Sequence, residues 1–399
     1  MKTDIPILFV EINNLNYVFA AGLYDDSQNL KIIENIIIPS EGINKNKFTN
    51  IDQAQEVIKK NIQAIENKLN YVFKDVIIIL DNPDYSCVNI SGFKKLNGSQ
   101  VLKENISYIL NSLKFSVTEN EKEKTILHIF NSKSILDKTS NDNLPIGLFG
   151  NFYSHELTFF LIKNNELKNI NLVFNKNNLN VKKVLIKNFI EGTEIINQNS
   201  NIDTFFKIKI SKDASQLIFF DKASFRYAEH FNFGSDIIFK DITKVCSINH
   251  ETIEKILLDR SYENKKFEEN EFLDEKYFIK MKYRKVRKKL IKDIVDARIE
   301  EIVNIILNKN INIKSLKENN GKIYFTIKDK LIFDNFKNNF KFYFSQDYNF
   351  ESHFINELEI DSLFKSGANL TAHGWKKEAV PITQSKNSLI TKIFKSLFG

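Results

Sequence analysis

Cysteine is nearly missing from this sequence. The two present, Cys87 and Cys246, stand in unrelated contexts with no Cys-x-x-Cys and no histidine at ligand spacing, which argues against a disulfide framework, a zinc site or redox work. Both read as core residues. The six histidines are scattered without His-x-x-x-His or His-Glu-x-x-His spacing, so no metal site is expected. Glycine occurs only 12 times and proline 5 times in 399 residues; the glycine shortage matters because loops that wrap phosphate depend on it. No apolar run reaches the roughly 18–20 residues of a membrane-spanning helix. The opening MKTDIPILFVEINNLNYVF has no basic region and no small-residue cleavage site, so a cytosolic chain is expected. Paired carboxylates in a motif and a nucleophile elbow are missing too, and no catalytic constellation is read.

What is present is the material of a folded protein. A 42% hydrophobic share with 27% charged residues is ordinary for globular chains, and the length exceeds what one core usually fills. The net charge of +7 implies a mild preference for anionic partners. Apolar runs at Ile5–Val10, Tyr17–Gly22 and Lys31–Ile38 read as strands, the 3.6-periodic stretch Ile51–Leu69 as a helix, and Val76–Leu80 as a buried strand. A smaller mixed block follows: a strand around Cys87–Ile90, a helix over Ser99–Leu113, and strands Thr125–Phe130 and Tyr153–Ile162. It reads as an insertion, because a helix at Leu172–Asn180 and a strand at Val181–Ile186 resume the α/β rhythm. The second half repeats the plan with strands Thr204–Ile210, Ser215–Phe220 and Ser224–Phe233. Helices are then expected over Ser235–Val245 and His250–Asp259, a charged loop over Tyr262–Glu275, a long helix over Phe278–Asn308, a strand over Lys322–Thr326 and a helix over Asp329–Asn338. Three strands opening each half is the mark of a duplicated fold. Beyond Asp361 the chain turns polar and irregular, which reads as a linker.

In order along the chain, CVNISG (Cys87–Gly92), LPIGLFGNFYSHELTFFLI (Leu144–Ile162), NLNVKKVLIKNFIEG (Asn178–Gly192), FNFGSDIIFKDITKVCSINHETIEKIL (Phe231–Leu257) and KKLIKDIVDARIEEIVNII (Lys288–Ile306) resemble landmarks of FtsA. This is the actin-like protein that ties the bacterial division polymer FtsZ to the inner membrane. The resemblance covers nearly the whole chain. It implies an α/β, actin-like duplicated fold with an FtsA-type inserted small α+β subdomain and a C-terminal amphipathic helix on a flexible linker. The implied parts are a first actin-like domain over 1–82 and 167–200, the insert over 83–166, a second domain over 201–360, a linker over 361–387 and the helix over 388–399.

The resemblance also implies ATP and Mg²⁺, yet the nucleotide loops are where this sequence departs from the family. Where the first phosphate loop has an acid, a hydrophobic residue and Gly-Thr, this chain reads EINN, keeping Glu11 but placing Asn13 and Asn14 at the pair. The second phosphate loop matches KISKDA, Lys209 to Ala214, with Lys209 in place of the Asp, Lys212 within the loop and no glycine. The adenosine loop reads TIKD from Thr326, and in the Glu-x-x-Lys helix Glu254 remains while Leu257 replaces the Lys. A cradle needs positive φ and open backbone N–H groups, and a lysine cannot organise Mg²⁺ as a carboxylate does. ATP binding is therefore expected to be weak or lost, with no hydrolysis of consequence.

Two stretches carry charge worth reading. KMKYRKVRKKLIK, Lys280–Lys292, holds eight Lys or Arg in thirteen residues. It reads either as a solvated helix face or, by the resemblance, as the receiver of the acidic FtsZ tail, with Arg284, Lys288 and Arg298 at about 0°, 40° and 320° on one helical face. A nucleic-acid reading lacks the interleaved aromatics, and none is expected. The second stretch, SLITKIFKSLFG from Ser388, divides cleanly on a helical wheel: Leu389, Ile390, Ile393, Phe394, Leu397 and Phe398 fill one half, Lys392 and Lys395 the other. A rod of about 16 Å is too short to span a bilayer and would lie in its interface. Six apolar side chains at roughly 1.5–3 kcal/mol each, with about 1 kcal/mol per lysine on anionic lipid, are opposed by about 1–2 kcal/mol of backbone ordering per residue. One copy gives a reversible hold, and many copies on a polymer a firm one. A helix docked on the protein's own surface is the bland alternative.

The expectation is thus a non-enzymatic division protein at the cytoplasmic face of the inner membrane, at the division site. Its expected partners are the FtsZ tail, anionic lipid, later division proteins through the insert, and further copies in actin-like filaments. The alternatives are a working actin-like ATPase and a pilus-type membrane-assembly adaptor.

Overall fold

The computed structural model describes residues 5–25, 29–44, 46–199, 201–259, 262, 265–278, 281–316, 321–346 and 350–379. The chain opens with β1 (Ile7–Ile12), β2 (Asn16–Tyr24) and β3 (Leu30–Pro39), followed by the short pair β4 (Ile43–Asn44) and β5 (Lys47–Phe48), helix α1 (Ile51–Leu69) and β6 (Asp75–Leu80). A mixed block comes next, with β7 (Tyr85–Lys95), α2 (Lys103–Asn120), β8 (Lys124–Leu136), β9 (Thr139–Asn141) and β10 (Phe152–Lys163). Then α3 (Asn164–Asn175), β11 (Asn180–Ile186) and α4 (Lys187–Gln198) return to the first sheet. The second half holds β12 (Phe205–Ile210), β13 (Ser215–Asp221), β14 (Ser224–Phe231), α5 (Asp236–Cys246), α6 (His250–Asp259), α7 (Lys288–Val303), β15 (Lys322–Ile327), α8 (Lys330–Gln346) and β16 (Glu351–Phe354), and α9 (Ile360–His373) is the last helix among the described residues.

Strand order shows the duplication directly. The first sheet runs β11-β6-β1-β2-β3 and the second β14-β13-β12-β15-β16, so each lays three consecutive strands side by side and adds two later ones beyond the first. In the first sheet β1, β6 and β11 are parallel neighbours, and in the second β12, β15 and β16 are. Near-continuous apolar runs such as VIIIL fit strands covered on both faces. The chain divides into two compact units, one of Met1–Asp203, Phe220–Tyr227 and the chain from Leu358 onward, the other of Thr204–Phe219 and Ala228–Glu357.

Between β6 and β11 a separate sheet forms in the order β7-β10-β8-β9, with α2 on one face. Ile106, Ile109, Leu113 and Val117 of that helix meet Ile129, Tyr153, Leu157 and Phe159 in its core. Gly92 of CVNISG admits the helix, since a Cβ there would meet Ile109 Cγ2 at 2.6 Å.

Several elements differ from the sequence reading. Helix α3 begins eight residues before the expected Leu172. Helix α7 starts at Lys288 and not at Phe278. The segment ahead of it pairs instead with Glu271–Leu273: Phe272 bridges Arg287, Leu273 N–H donates to the Val286 carbonyl at 2.9 Å and Lys288 N–H to that of Glu271 at 2.9 Å. Backbone groups spent on that pairing cannot turn a helix. Most consequentially, the chain from Asp361 is no linker over its first part: Ile360–His373 is α9, which buries Leu363, Phe364, Gly367, Ala368 and Leu370. Its small and polar residues read as loop by propensity, yet they let the helix sit close to the first sheet, where Gly367 approaches Ile79, Ile190 and Leu185 and Phe364 lies 5.6 Å from Phe9. Helix α4, absent from the sequence reading, carries Gly192 at its centre because a Cβ there would fall 2.1 Å from the Phe220 ring.

Candidate functional site

In the first unit, the parallel register aligns the carboxyl ends of β1, β6 and β11, with Ile12 beside Leu80 and Leu80 beside Ile186. That edge is where open α/β sheets take ligands. Glu11 stands there, 2% exposed, and the residues following β6 and β11 are Asp81 and Lys187. The Lys187 ammonium lies 2.6 Å from Glu11 Oε1 and 3.8 Å from Asp81 Oδ2. A cation supplied by the chain itself thus neutralises the retained acid. Neither Lys187 nor Asp81 was singled out from the sequence; the signal was a lone lysine inside the apolar run VLIKNFI.

The β1–β2 loop closes on itself as well. Asn13 Oδ1 accepts the backbone N–H groups of Leu15 at 2.9 Å and Asn16 at 2.8 Å, and the Asn13 N–H donates to the Asn16 carbonyl at 3.2 Å. Asn14 receives Asn46 N–H on its side chain at 3.4 Å and Ser40 Oγ on its carbonyl at 2.9 Å. A phosphate cradle requires such N–H groups to face outward. In this loop the asparagine side chains take them.

The second unit shows the same pattern with different atoms. Lys209 of β12 and Thr326 of β15 are register partners. Lys209 is 3% exposed and pairs with Glu357 at 3.2 Å, while Thr326 Oγ1 donates to the Ile355 carbonyl at 2.9 Å. Lys212 is exposed in the β12–β13 turn. Its carbonyl and that of Ser211 accept the N–H groups of Asp236 and Ser235, each at 2.9 Å. The amino end of α5, a natural anion site when open, is therefore stoppered by loop carbonyls. Gly234 makes this close approach possible, since a Cβ there would meet Ser211 O at 2.1 Å. The TIKD turn ends in Asp329, which caps α8 through the Ile332 N–H at 3.2 Å. Glu254 sits apart on α6 with His250 at 3.4 Å.

The basic stretch does not present the face expected of it. Arg284 precedes α7, so it shares no helical face with the other two. Lys288 is buried at the first turn, 3.8 Å from Glu271. Arg298 lies on α7, where it is paired to Asp241 of α5 and to Glu301. The membrane-binding residues Leu389, Ile390, Lys392, Ile393, Phe394, Lys395, Leu397 and Phe398 lie outside the described residues. Among those described, no helix is long and apolar enough to cross a membrane.

No family model matches the chain. Among curated proteins it is similar to the cell division protein FtsA of Buchnera aphidicola subsp. Schizaphis graminum, 22% identical over 322 residues that cover 80% of this chain and 76% of that one. It is also 23% identical over 252 residues to FtsA of Buchnera aphidicola subsp. Acyrthosiphon pisum, where the match covers 63% of this chain and 59% of the relative. Among solved structures it superposes on a chain of the PilM-PilN type IV pilus biogenesis complex with a TM-score of 0.55 at 8% identity, covering 92% of this chain and 96% of the other. Likeness at that identity speaks for the fold alone. The duplicated strand order and these similarities agree: the chain has an actin-like fold, and its sequence is similar to FtsA over most of its length.

Proposed function

We propose that the protein is an actin-like division scaffold that ties the FtsZ polymer to the cytoplasmic face of the membrane and no longer depends on bound ATP. The observation that carries the division role is the alignment with FtsA over 322 residues. The amphipathic pattern from Ser388 to Gly399 supports the lipid contact. The internal neutralisation of Glu11 by Lys187 supports the loss of nucleotide. Later division proteins docking on the β7–β10 sheet and self-association into filaments belong to the same reading. A pilus-type adaptor has only the fold likeness behind it, and a working ATPase would need N–H groups that the two loops spend internally.

Co-sedimentation with vesicles containing phosphatidylglycerol tests the tether. Full-length protein is expected to pellet and the Δ388–399 form to stay in the supernatant, with an FtsZ polymer deepening the difference through multivalency. Equal pelleting of the two forms would refute it.

A further inference from the structure

The chain past α9 is held down. Gly374 ends the helix at a φ of 73°, and the following residues run along the outer edge of β8. Asn131 N–H donates to the Lys377 carbonyl at 2.7 Å and Ala379 N–H to the Ile129 carbonyl at 2.7 Å, with Phe130 and Glu378 opposed as an antiparallel pair. Side chains reinforce the backbone. Trp375 Nε1 donates to the Ala223 carbonyl at 2.7 Å, Lys377 Nζ donates to that of Asp142, and Ala379 joins the core beneath α2. Glu378 Oε1 meets His128 Nδ1 at 2.7 Å, with both side chains at 1% exposure or less.

We propose that this docked segment is the root of the membrane tether. It sets the exit of the amphipathic stretch at the outer edge of the inserted sheet, and it makes that edge the face laid against anionic lipid. The inference rests on the tether reading above. Chain length carries it: only residues 380–387 separate Ala379 from Ser388, a span of at most about 29 Å when fully extended. A tether beginning at Asp361 would reach about 95 Å. On the shorter leash the body stays within about 29 Å of the bilayer, and the surface around the exit is the part held nearest to it. That surface is cationic. Lys133 lies two residues from Asn131 on β8, Lys138 forms the β8–β9 turn and Lys376 is on the segment itself; all three are exposed and none is ion-paired among the described residues.

Vesicles of phosphatidylethanolamine and phosphatidylglycerol, with the full-length chain, provide the test. Each lysine near an anionic surface is worth about fivefold in binding. K133E/K138E is therefore expected to weaken binding tenfold or more, while K59E/K60E on α1 changes it less than about twofold, an asymmetry that fades as salt rises. Equal losses from the two pairs overturn the proposal. In a W375A/E378Q background, which frees the segment, the asymmetry is expected to vanish; its persistence overturns the proposal as well. Hydrogen exchange on the unmodified protein gives a reading that needs no variant: the Asn131 and Ala379 amides should stay protected on vesicles, and their release there refutes a fixed root. Binding that survives Δ388–399 sinks the tether reading itself, whereas binding lost in Δ388–399 with equal effects of the two lysine pairs sinks only this inference.

Discussion

Lys187 follows the last residue of a buried strand, and its ammonium has two carboxylates where water would otherwise be. Replacing it with methionine leaves Glu11 and Asp81 buried together without a counter-charge, which is expected to cost about 3–5 kcal/mol, read as a lowered urea midpoint at unchanged slope. A loss under about 1 kcal/mol would mean that Lys187 does not hold the site. A second residue is expected to make the fold sensitive to acid. Burial, with Lys377 adding to it, pushes the His155 imidazole down to about 4 from an ordinary value of 6.5, and neither ring nitrogen has a hydrogen-bond partner among the described residues. Below pH 6.5 the unfolded chain takes up a proton that the folded chain refuses, so stability falls as pH drops from 6.5 towards 4, by about 3 kcal/mol in all. Glu378 adds to this lower down. Burial opposes its ionisation, but Lys183 and His128 hold its carboxyl below the usual range, and its contribution is lost as pH falls below 4.5. Thermal melts across pH 4–7 should show the slope, and His155→Leu should flatten the part above pH 4.5.

At the scale of elements, the sequence was most legible where periodicity and burial agree. Helix α1 has the expected bounds because Ala54, Ile58, Ile62 and Ile65 form one apolar stripe, Asn50 caps its start through the Gln53 N–H, and Asn70 ends it at a φ of 50°. The start of α7 was not legible: an eight-cation run has helix propensity, and only pairing with a strand-like segment some fifteen residues upstream overrides it. That correction leaves Lys288 buried at the first turn of α7 and Arg298 further along it, with Asp241 and Glu301 already on its guanidinium. An acidic peptide would have to displace those carboxylates. Arg298→Glu is expected to weaken an FtsZ C-terminal peptide about tenfold by fluorescence anisotropy, with Arg284→Glu acting mainly through the salt dependence of binding. An unchanged affinity for Arg298→Glu would remove α7 from the proposed interface.

Over the whole molecule, two sheets of one plan carry two loops that have each been closed from within, one by asparagine side chains and a lysine, the other by carbonyls stopping a helix end. Isothermal titration is therefore expected to show no Mg-ATP binding at micromolar concentrations; a micromolar Kd would overturn the proposed loss. The sequence by itself determined most of the strands, the three-strand opening of each half and the absence of glycine from the two loops, because these depend on local pattern and on what a Cβ forbids. Only tertiary structure decided what stands against Glu11, since Lys187 reaches it across 176 positions through parallel register that no local pattern records. The same holds for the chain after Asp361. Its residues are small and polar enough to read as a linker, but packing on the first sheet makes them a helix, and strand addition to β8 holds the segment that follows, so the proposed tether would be a short leash with a fixed root.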